Sequence, residues 1–197
     1  RVDELLITDD RLPTTDIGLE NAGVAYTEHG IQVSEAMQTS ARHIFAAGSV
    51  VDLQAQTHTI LSHSRTAAHN LLHRNFIALD DTPRLTIAFT DPQIARTGLD
   101  EDDCLRRDLK INVALAPLTL TARSNITDRR SGFVKLISDK KGVLLGATIV
   151  APGASDLMTG LSLAIRHGLT AKQLMSTPNC FTAWSEAVRI AAGKLAA

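Results

Sequence analysis

The chain has 197 residues, of which 44% are hydrophobic and 21% are charged, and its formal net charge is −1. This length allows one or two domains with a sizeable core, and the composition is that of an ordinary globular protein. A net charge so close to zero gives no electrostatic reason to expect a nucleic acid or an anionic membrane as partner. No apolar run approaches the roughly 20 residues of a membrane span, so a membrane function is not expected either.

The two cysteines, Cys104 and Cys180, lie far apart and form no C-x-x-C pair. We therefore expect neither a disulfide framework nor a dithiol redox centre built from this chain alone, and a reducing, cytoplasmic location is the default. Each cysteine is interpreted as a small, buried or half-buried apolar residue rather than as a nucleophile.

The first eighty residues alternate short predicted strands with turns. Apolar runs predict strands at residues 5–7, 31–33 and 44–46, and the last of these leads into the small-residue turn at 47–49. A helix is predicted over residues 57–72. Its apolar residues fall largely on one side at helical spacing: Ile60, Leu61, Ala67, Ala68, Leu71 and Leu72.

A polar connector that ends in proline, at residues 79–83, is the predicted boundary between a domain at 1–80 and a domain at 83–197. Beyond it the pattern predicts strands and then helices, which describes an α+β domain. The predicted strands are residues 85–89 and 111–115 and a hairpin of 132–137 with 143–150. The predicted helices are a charged one that Asp100 caps, one at 155–166 ending at Gly168, a short one that Thr170 caps, and a last one at 182–195.

Six ordered segments resemble the FAD-dependent pyridine nucleotide-disulfide oxidoreductases, the family of dihydrolipoamide dehydrogenase, glutathione reductase and mercuric reductase. Residues 39–49 (TSARHIFAAGS) are similar to the family's T-S-x-x-x-I-[FY]-A-A-G-D, and residues 89–98 (FTDPQIARTG) to its F-T-x-P-x-[IV]-A-x-x-G. The remaining segments follow in the family's order: GFVKL at 132–136, LGA at 145–147, LAI at 163–165 and SEA at 185–187.

The resemblance implies a fold and a place in a larger enzyme. Residues 83–197 would form the antiparallel, α+β dimerisation domain, and residues 1–80 the returning α/β segment of an FAD domain. No G-x-G-x-x-G motif occurs, and residues 11–15 (RLPTT) resemble the family segment that returns from the NAD domain to the FAD domain. By this analogy the chain is the C-terminal portion of an enzyme whose nucleotide-binding halves precede it.

The same resemblance implies flavin contacts in the first domain. Gly48 and Ser49 stand where the family has Gly-Asp, whose carboxylate accepts a hydrogen bond from an FAD ribityl hydroxyl; a serine contact is weaker by roughly 1 kcal/mol. His58, Thr59 and Ile60 begin the helix whose free N–H groups would face the flavin. The alternative is that this helix is only a packing element.

At the catalytic end the chain departs from the family. The disulfide-reducing members carry a histidine that handles a thiol proton and a glutamate five residues later. Here the glutamate is Glu186, but the histidine position is Phe181, so disulfide reduction by the usual mechanism is not expected. Mercuric reductases carry an aromatic residue there, which favours that branch. Glu186 is either an orphaned member of the pair or an ordinary acid at a helix N-terminus.

No metal site is predicted. His69 and His73 have the spacing of a zinc helix, but they lack the glutamate of H-E-x-x-H and any third ligand, so solvated histidines are expected. The function predicted is therefore homodimerisation through residues 83–197, plus part of the flavin site of an oxidoreductase that uses FAD and NAD(P)H in cell redox homeostasis. This chain alone is expected to be inactive and to bind no cofactor tightly. The alternative is a degenerate, non-enzymatic dimerisation module.

Overall fold

The structure is a computed structural model that describes residues 2–6, 12–80 and 82–197. The chain divides into two compact units, residues 1–81 and 82–197, and the division lies in the proline-ended connector. No helix among the described residues is long and apolar enough to cross a membrane.

The first unit has one small apolar cluster, a short ribbon and one long helix. Its ordered elements are a 3₁₀ turn at Leu19–Ala22, strands β1 (Tyr26–Thr27) and β2 (Gly30–Ile31), and helix α1 (Thr57–Leu72). Residue 30 must be glycine, because its φ is 125° and a Cβ there would lie 2.2 Å from the carbonyl oxygen of Val50.

Most of the strand structure predicted for this unit is not formed. Residues 44–46 make only an isolated bridge, Gln38 with Phe45, because the backbone of Ile44 is turned back on Ala41. The strand predicted at 31–33 shrinks to β2, and of the one predicted at 5–7 the described residues 5 and 6 lie in no strand. Residues 7 and 11, and with them part of the RLPTT segment, lie outside the described residues. Short apolar runs predict a strand only where a partner strand exists, and the described part of this unit offers none of useful length.

Helix α1 forms where the sequence predicts it, but the side that carries most of its apolar residues is not the side that is buried. The buried residues are polar: Thr59, His63, Thr66 and Asn70. The Asn70 amide explains this orientation, since it donates to the carbonyl oxygens of Ala36 and Ile77 and accepts from the N–H of Ile77. Leu61, Leu71 and Leu72 are exposed instead.

The second unit is built on a five-stranded antiparallel sheet with the order β3-β4-β7-β6-β5. Its strands are β3 (Leu85–Ala88), β4 (Gln93–Gly98), β5 (Ile111–Pro117), β6 (Phe133–Asp139) and β7 (Leu144–Ala151). Its helices are α2 (Glu101–Arg106), α3 (Ala122–Thr127), α4 (Ala154–Arg166), α5 (Ala171–Ser176) and α6 (Glu186–Ala196). The antiparallel α+β architecture predicted for this half is confirmed.

One face of the sheet carries the core. Helix α4 packs against β4 and β7, and α6 packs against β5 and β6. Leu136, Ile149 and Met158 are fully buried there, and each such side chain contributes about 1.5–3 kcal/mol through removal of its apolar surface from water.

Helix α2 is fixed by charge rather than by apolar packing alone. Asp100 caps it, as predicted, and shares a reciprocal capping box with Asp103. Arg96 on β4 forms ion pairs with both carboxylates, at 2.7 Å to Asp100 and 2.6 Å to Asp103. Lys135 on β6 forms an ion pair with Glu101, with Nζ 2.6 Å from Oε1. These contacts attach α2 to the sheet.

Three elements of this unit differ from the prediction. Strand β4 and helix α3 were not predicted. The last helix begins at Glu186 rather than at residue 182, because Thr182 has a left-handed φ of 65°, which a β-branched residue adopts only under strain. The segment before α6 is therefore a loop.

Candidate functional site

Two of the predicted flavin residues of the first unit, Gly48 and Ile60, lie close together. Gly48 has a φ of 95°, and the position of a Cβ on it lies 3.8 Å from Cγ2 of Ile60, so the turn lies against the first turn of α1. Ser49, at the tip of this turn, is exposed. The left-handed glycine turns the chain back, since its carbonyl oxygen accepts from the N–H groups of Val51 and Asp52.

The N-terminus of α1 is suited to an electron-rich group. Its N-cap, Gln56, makes no side-chain capping hydrogen bond, and no acidic residue lies in the first turn. The positive end of the helix dipole is therefore not neutralised by a carboxylate of this turn. The Thr59 side chain is buried on the inner side of the helix, so only its backbone could face a ligand.

In the second unit, Phe181 lies at the tip of a closed loop. Asn179 and Ser185 close it reciprocally: the Asn179 amide donates to the Ser185 carbonyl oxygen at 2.8 Å, and the Ser185 hydroxyl donates to Asn179 Oδ1 at 2.7 Å. The Phe181 side chain is 76% exposed. Neither residue was predicted to close a loop: Asn179 lies in no recognised motif, and Ser185 was identified only as part of the SEA segment.

Glu186 is the first residue of α6, in agreement with its interpretation as an acid at a helix N-terminus. Its carboxylate, however, accepts a hydrogen bond from a different helix, α3. Oε2 accepts a hydrogen bond from the backbone N–H of Ala122, the first residue of α3, at 3.0 Å. Thr121 caps the same helix through its hydroxyl, which accepts from the N–H of Ser124. The carboxylate of Glu186 therefore completes the N-terminal cap of α3.

The loop and α6 enclose a hollow of about 210 Å³. Its lining is Asn179, Cys180, Phe181, Glu186 and Arg189. The hollow thus combines one thiol, one carboxylate and one guanidinium, and it contains no imidazole.

The two cysteines differ in their surroundings. Cys104 is fully buried, and burial raises the pKa of its thiol, so it is a packing residue as predicted. Cys180 is exposed, and the prediction that it would be buried or half-buried is wrong, because the strained loop turns this segment outward.

His69 and His73 do not point at a shared ion. Their rings are stacked with centroids 4.4 Å apart, His69 Nε2 contacts the carbonyl oxygen of Asn75, and His73 Nδ1 contacts that of His69. Among the described residues no group of three His, Cys, Asp or Glu side chains is arranged to hold a metal ion.

An apolar groove of about 670 Å³ runs between α4, α5 and α6. Leu157, Leu163, Leu169 and Leu174 supply its apolar surface, and Leu163 is 52% exposed. His167 and Arg189 provide polar groups in the lining. Gly160 lies in the lining too and has open space around it, so a backbone can approach α4 closely there.

The sequence of the second unit matches a known family of protein domains. Residues 85–192 match the pyridine nucleotide-disulphide oxidoreductase dimerisation domain. The chain is 32% identical over 195 residues to a dihydrolipoyl dehydrogenase of Haloferax volcanii, covering 98% of this chain and 41% of that protein. A dihydrolipoyl dehydrogenase of Geobacillus stearothermophilus is 33% identical over 178 residues, covering 89% and 38%. The chain thus spans about two-fifths of the length of these relatives.

Two solved structures support the relationship that the sequence comparison indicates. LpdA from Mycobacterium tuberculosis superimposes with a TM-score of 0.84 at 26% identity, covering 93% of this chain and 41% of that one. The HOCl-induced flavoprotein disulfide reductase RclA from Escherichia coli gives a TM-score of 0.88 at 25% identity, covering 97% and 45%. The chain therefore belongs to the pyridine nucleotide-disulphide oxidoreductase family, and its residues 85–192 are the dimerisation domain of that family.

Proposed function

We propose that the chain is the C-terminal portion of an FAD- and NAD(P)H-dependent oxidoreductase, in which residues 83–197 provide homodimerisation and residues 1–80 part of the flavin site. The observation that carries the proposal is the match of the dimerisation domain over 85–192, together with relatives that extend it across the first unit. The exposed leucines of α1, Leu61, Leu71 and Leu72, support it, because a helix with such a face usually packs against further protein.

In the first unit, the residues present fit a flavin. The turn at Gly48 brings backbone close to the start of α1, Ser49 has an exposed hydroxyl for a ribityl group, and the α1 N-terminus has no acid in its first turn. When bound, FAD would supply the hydride acceptor for NAD(P)H. The role of Ser49 is to orient the flavin, and that of the first N–H groups of α1 is to stabilise negative charge on the ring. The predicted contact of Ile60 cannot be made by its N–H, because this group donates to the carbonyl oxygen of Gln56 at 2.9 Å within the helix.

The proposed enzyme does not reduce a disulfide through the family's histidine–glutamate pair. Phe181 cannot transfer a proton, and Glu186 is occupied with the N–H of Ala122. The mercuric-reductase branch was suggested by the aromatic residue alone, and the relatives compared above are dihydrolipoyl dehydrogenases. We therefore propose a dihydrolipoyl dehydrogenase-like parent whose substrate does not depend on a histidine at position 181. Its cytoplasmic location and its place in cell redox homeostasis stay predictions.

The second copy of the chain is proposed to dock on the groove between α4, α5 and α6. The groove is apolar, lies within the dimerisation domain, and presents the exposed Leu163 beside the open position at Gly160. A two-fold dimer is the commonest closed assembly of soluble proteins, and it uses the same patch of both copies.

The experiment compares Leu163→Glu with the matched control Leu105→Glu, since Leu105 is a leucine on α2 that is 79% exposed and lies outside the groove lining. At tens of micromolar, sedimentation should give a dimer for the wild type and for Leu105→Glu and a monomer for Leu163→Glu. A chain that begins at Pro83 should still associate. A monomeric wild type would overturn the proposed dimer, and a dimeric Leu163→Glu would move the interface elsewhere.

A non-enzymatic dimerisation module is the second candidate, and the absence of an imidazole in the Phe181 loop favours it. Absorbance separates the two candidates. A yellow full-length protein with flavin bands supports the oxidoreductase, whereas a colourless dimer supports the module.

A further inference from the structure

Strand β5 lies at the edge of the five-stranded sheet, with β6 as its neighbour on one side only. An edge strand presents a row of backbone groups to which a strand of another molecule can add. The segment Ile111–Pro117 (INVALAP) contains no charged residue, and Val113 and Leu115 are exposed. An uncharged, apolar strand on an edge is a typical site of strand-to-strand association.

The register identifies the outward backbone groups. The N–H of Leu118 donates to the carbonyl oxygen of Gly132, so this pair, which continues the β5–β6 register, is a hydrogen-bonded one. Hydrogen-bonded and non-hydrogen-bonded pairs alternate along an antiparallel ladder. The backbone groups of Ile111, Val113, Leu115 and Pro117 therefore point away from β6.

Two lysines from other elements bind outward carbonyl oxygens. Lys140, in the turn after β6, donates from Nζ to the Ile111 oxygen at 3.0 Å and to Asn112 Oδ1 at 2.7 Å. Lys194, in the last turn of α6, donates from Nζ to the Leu115 oxygen at 2.7 Å. Pro117 closes the end of the strand, because it has no N–H to offer.

We propose that Lys140 and Lys194 close the free edge of β5 against strand addition by a second copy of this chain. An incoming strand has to displace two charge-assisted hydrogen bonds and approach two ammonium groups that come from outside the strand. Only Val113 keeps both outward backbone groups clear of these lysines and of the proline. The two lysines thereby direct self-association away from the sheet edge.

The test uses the full chain and compares two lysine-to-alanine pairs that remove the same charge. Lys140→Ala/Lys194→Ala removes both edge contacts, whereas Lys141→Ala/Lys172→Ala removes the same charge from two exposed lysines whose ammonium groups form no hydrogen bond or ion pair in the described part of the chain. Lys140→Arg/Lys194→Arg keeps donors and charge. A third set adds Val113→Pro to the alanine pair, which removes an outward N–H without breaking a β5–β6 hydrogen bond.

We expect the alanine pair to form assemblies larger than those of the wild type, with increased thioflavin fluorescence, at protein concentrations about tenfold lower. The charge-matched pair and the arginine pair should behave as the wild type does, and Val113→Pro should reverse the effect of the alanine pair. Equal behaviour of the alanine pair and the charge-matched pair would overturn the proposal, as would association that persists with proline at 113. If the alanine pair loses its wild-type circular dichroism, the single variants Lys140→Ala and Lys194→Ala make the same comparison.

Discussion

The carboxylate of Glu186 accepts a hydrogen bond from the backbone N–H of Ala122, which lies 64 positions earlier in the chain. One side chain thus joins the start of α6 to the start of α3. Together with the Thr121 cap, it satisfies N–H groups that the first turn of α3 leaves without helical partners. The residue that stands where the family has a catalytic glutamate therefore has a structural partner within its own domain.

This relationship predicts different effects of two substitutions at Glu186 on stability. Glu186→Ala should lower the free energy of unfolding by about 1–2 kcal/mol, because it removes a capping acceptor. Glu186→Gln keeps an acceptor oxygen and should lose less than half as much. Urea unfolding of both variants checks this, and equal losses would show that the charge matters more than the hydrogen bond.

The same residue gives a prediction for activity. Removing a general acid or base typically costs about 10²–10⁴-fold in rate. Because Phe181 offers no imidazole to orient, Glu186→Gln should change any NAD(P)H-dependent turnover of the full-length protein by less than about tenfold. Phe181→His alone should not create disulfide reductase activity, since this chain carries no cysteine pair. A hundredfold loss in Glu186→Gln would reveal an active role of the carboxylate.

Asp103 predicts how stability responds to acid. Its pKa is lowered from 3.8 to about 2, chiefly by the hydrogen bond from the N–H of Asp100 and further by Arg106 and Arg96. A carboxyl whose pKa is lower in the folded state stabilises the fold above pH 3.8, and this contribution is lost as the pH falls through about 2. Asp103→Asn should be less stable than the wild type at pH 7 and should converge with it near pH 2.

Thermal unfolding between pH 2 and pH 7 measures this difference. Asp102→Asn is the matched control, since Asp102 is its exposed neighbour on α2 and makes no hydrogen bond or ion pair in the described part of the chain. If Asp103→Asn keeps the full acid dependence of the wild type, another group is responsible.

Gly146 predicts a steric limit in the sheet. A Cβ at this position would lie 1.8 Å from the carbonyl oxygen of Leu99, which is backbone and has no rotamer to change. Gly146→Ala should therefore destabilise the protein by about 3 kcal/mol or more. Gly193→Ala on α6 is the control, because the nearest atoms to its added Cβ belong to the flexible side chain of Met175, at 3.7 Å and beyond, and alanine favours a helix by about 0.5–1 kcal/mol. Denaturant unfolding should show losses in the first variant only.

Flavin affinity tests how much of the cofactor site this chain supplies. The turn at Gly48 and the start of α1 would contact only part of FAD, and no G-x-G-x-x-G segment is present to bind a pyrophosphate. Titration of FAD into the purified chain should therefore show weak binding or none. A sub-micromolar dissociation constant would contradict this, and Ser49→Ala would then show whether the expected hydroxyl takes part.

Local signals in the sequence sufficed for several elements. The hairpin between β6 and β7 was predicted from its turn, and the structure shows why: Asp139 Oδ1 accepts from the N–H groups of Lys141 and Val143. Thr170 and Gln173 form the capping box that starts α5, within four residues of each other. The family was also predicted correctly from the sequence, because its motifs are short and occur in a constant order.

Tertiary structure decided what depends on distant partners. Strand β4 forms because β3 and β7 flank it, and the inward side of α1 is polar because Asn70 bonds to Ala36 and Ile77. The contact of Glu186 with Ala122 and those of Lys194 and Lys140 with β5 join positions far apart in the chain. The sequence by itself determined the turns, caps and family motifs, since these are interactions between near neighbours. The tertiary structure decided which faces are buried and which polar groups find partners, because both are fixed only when remote segments pack together.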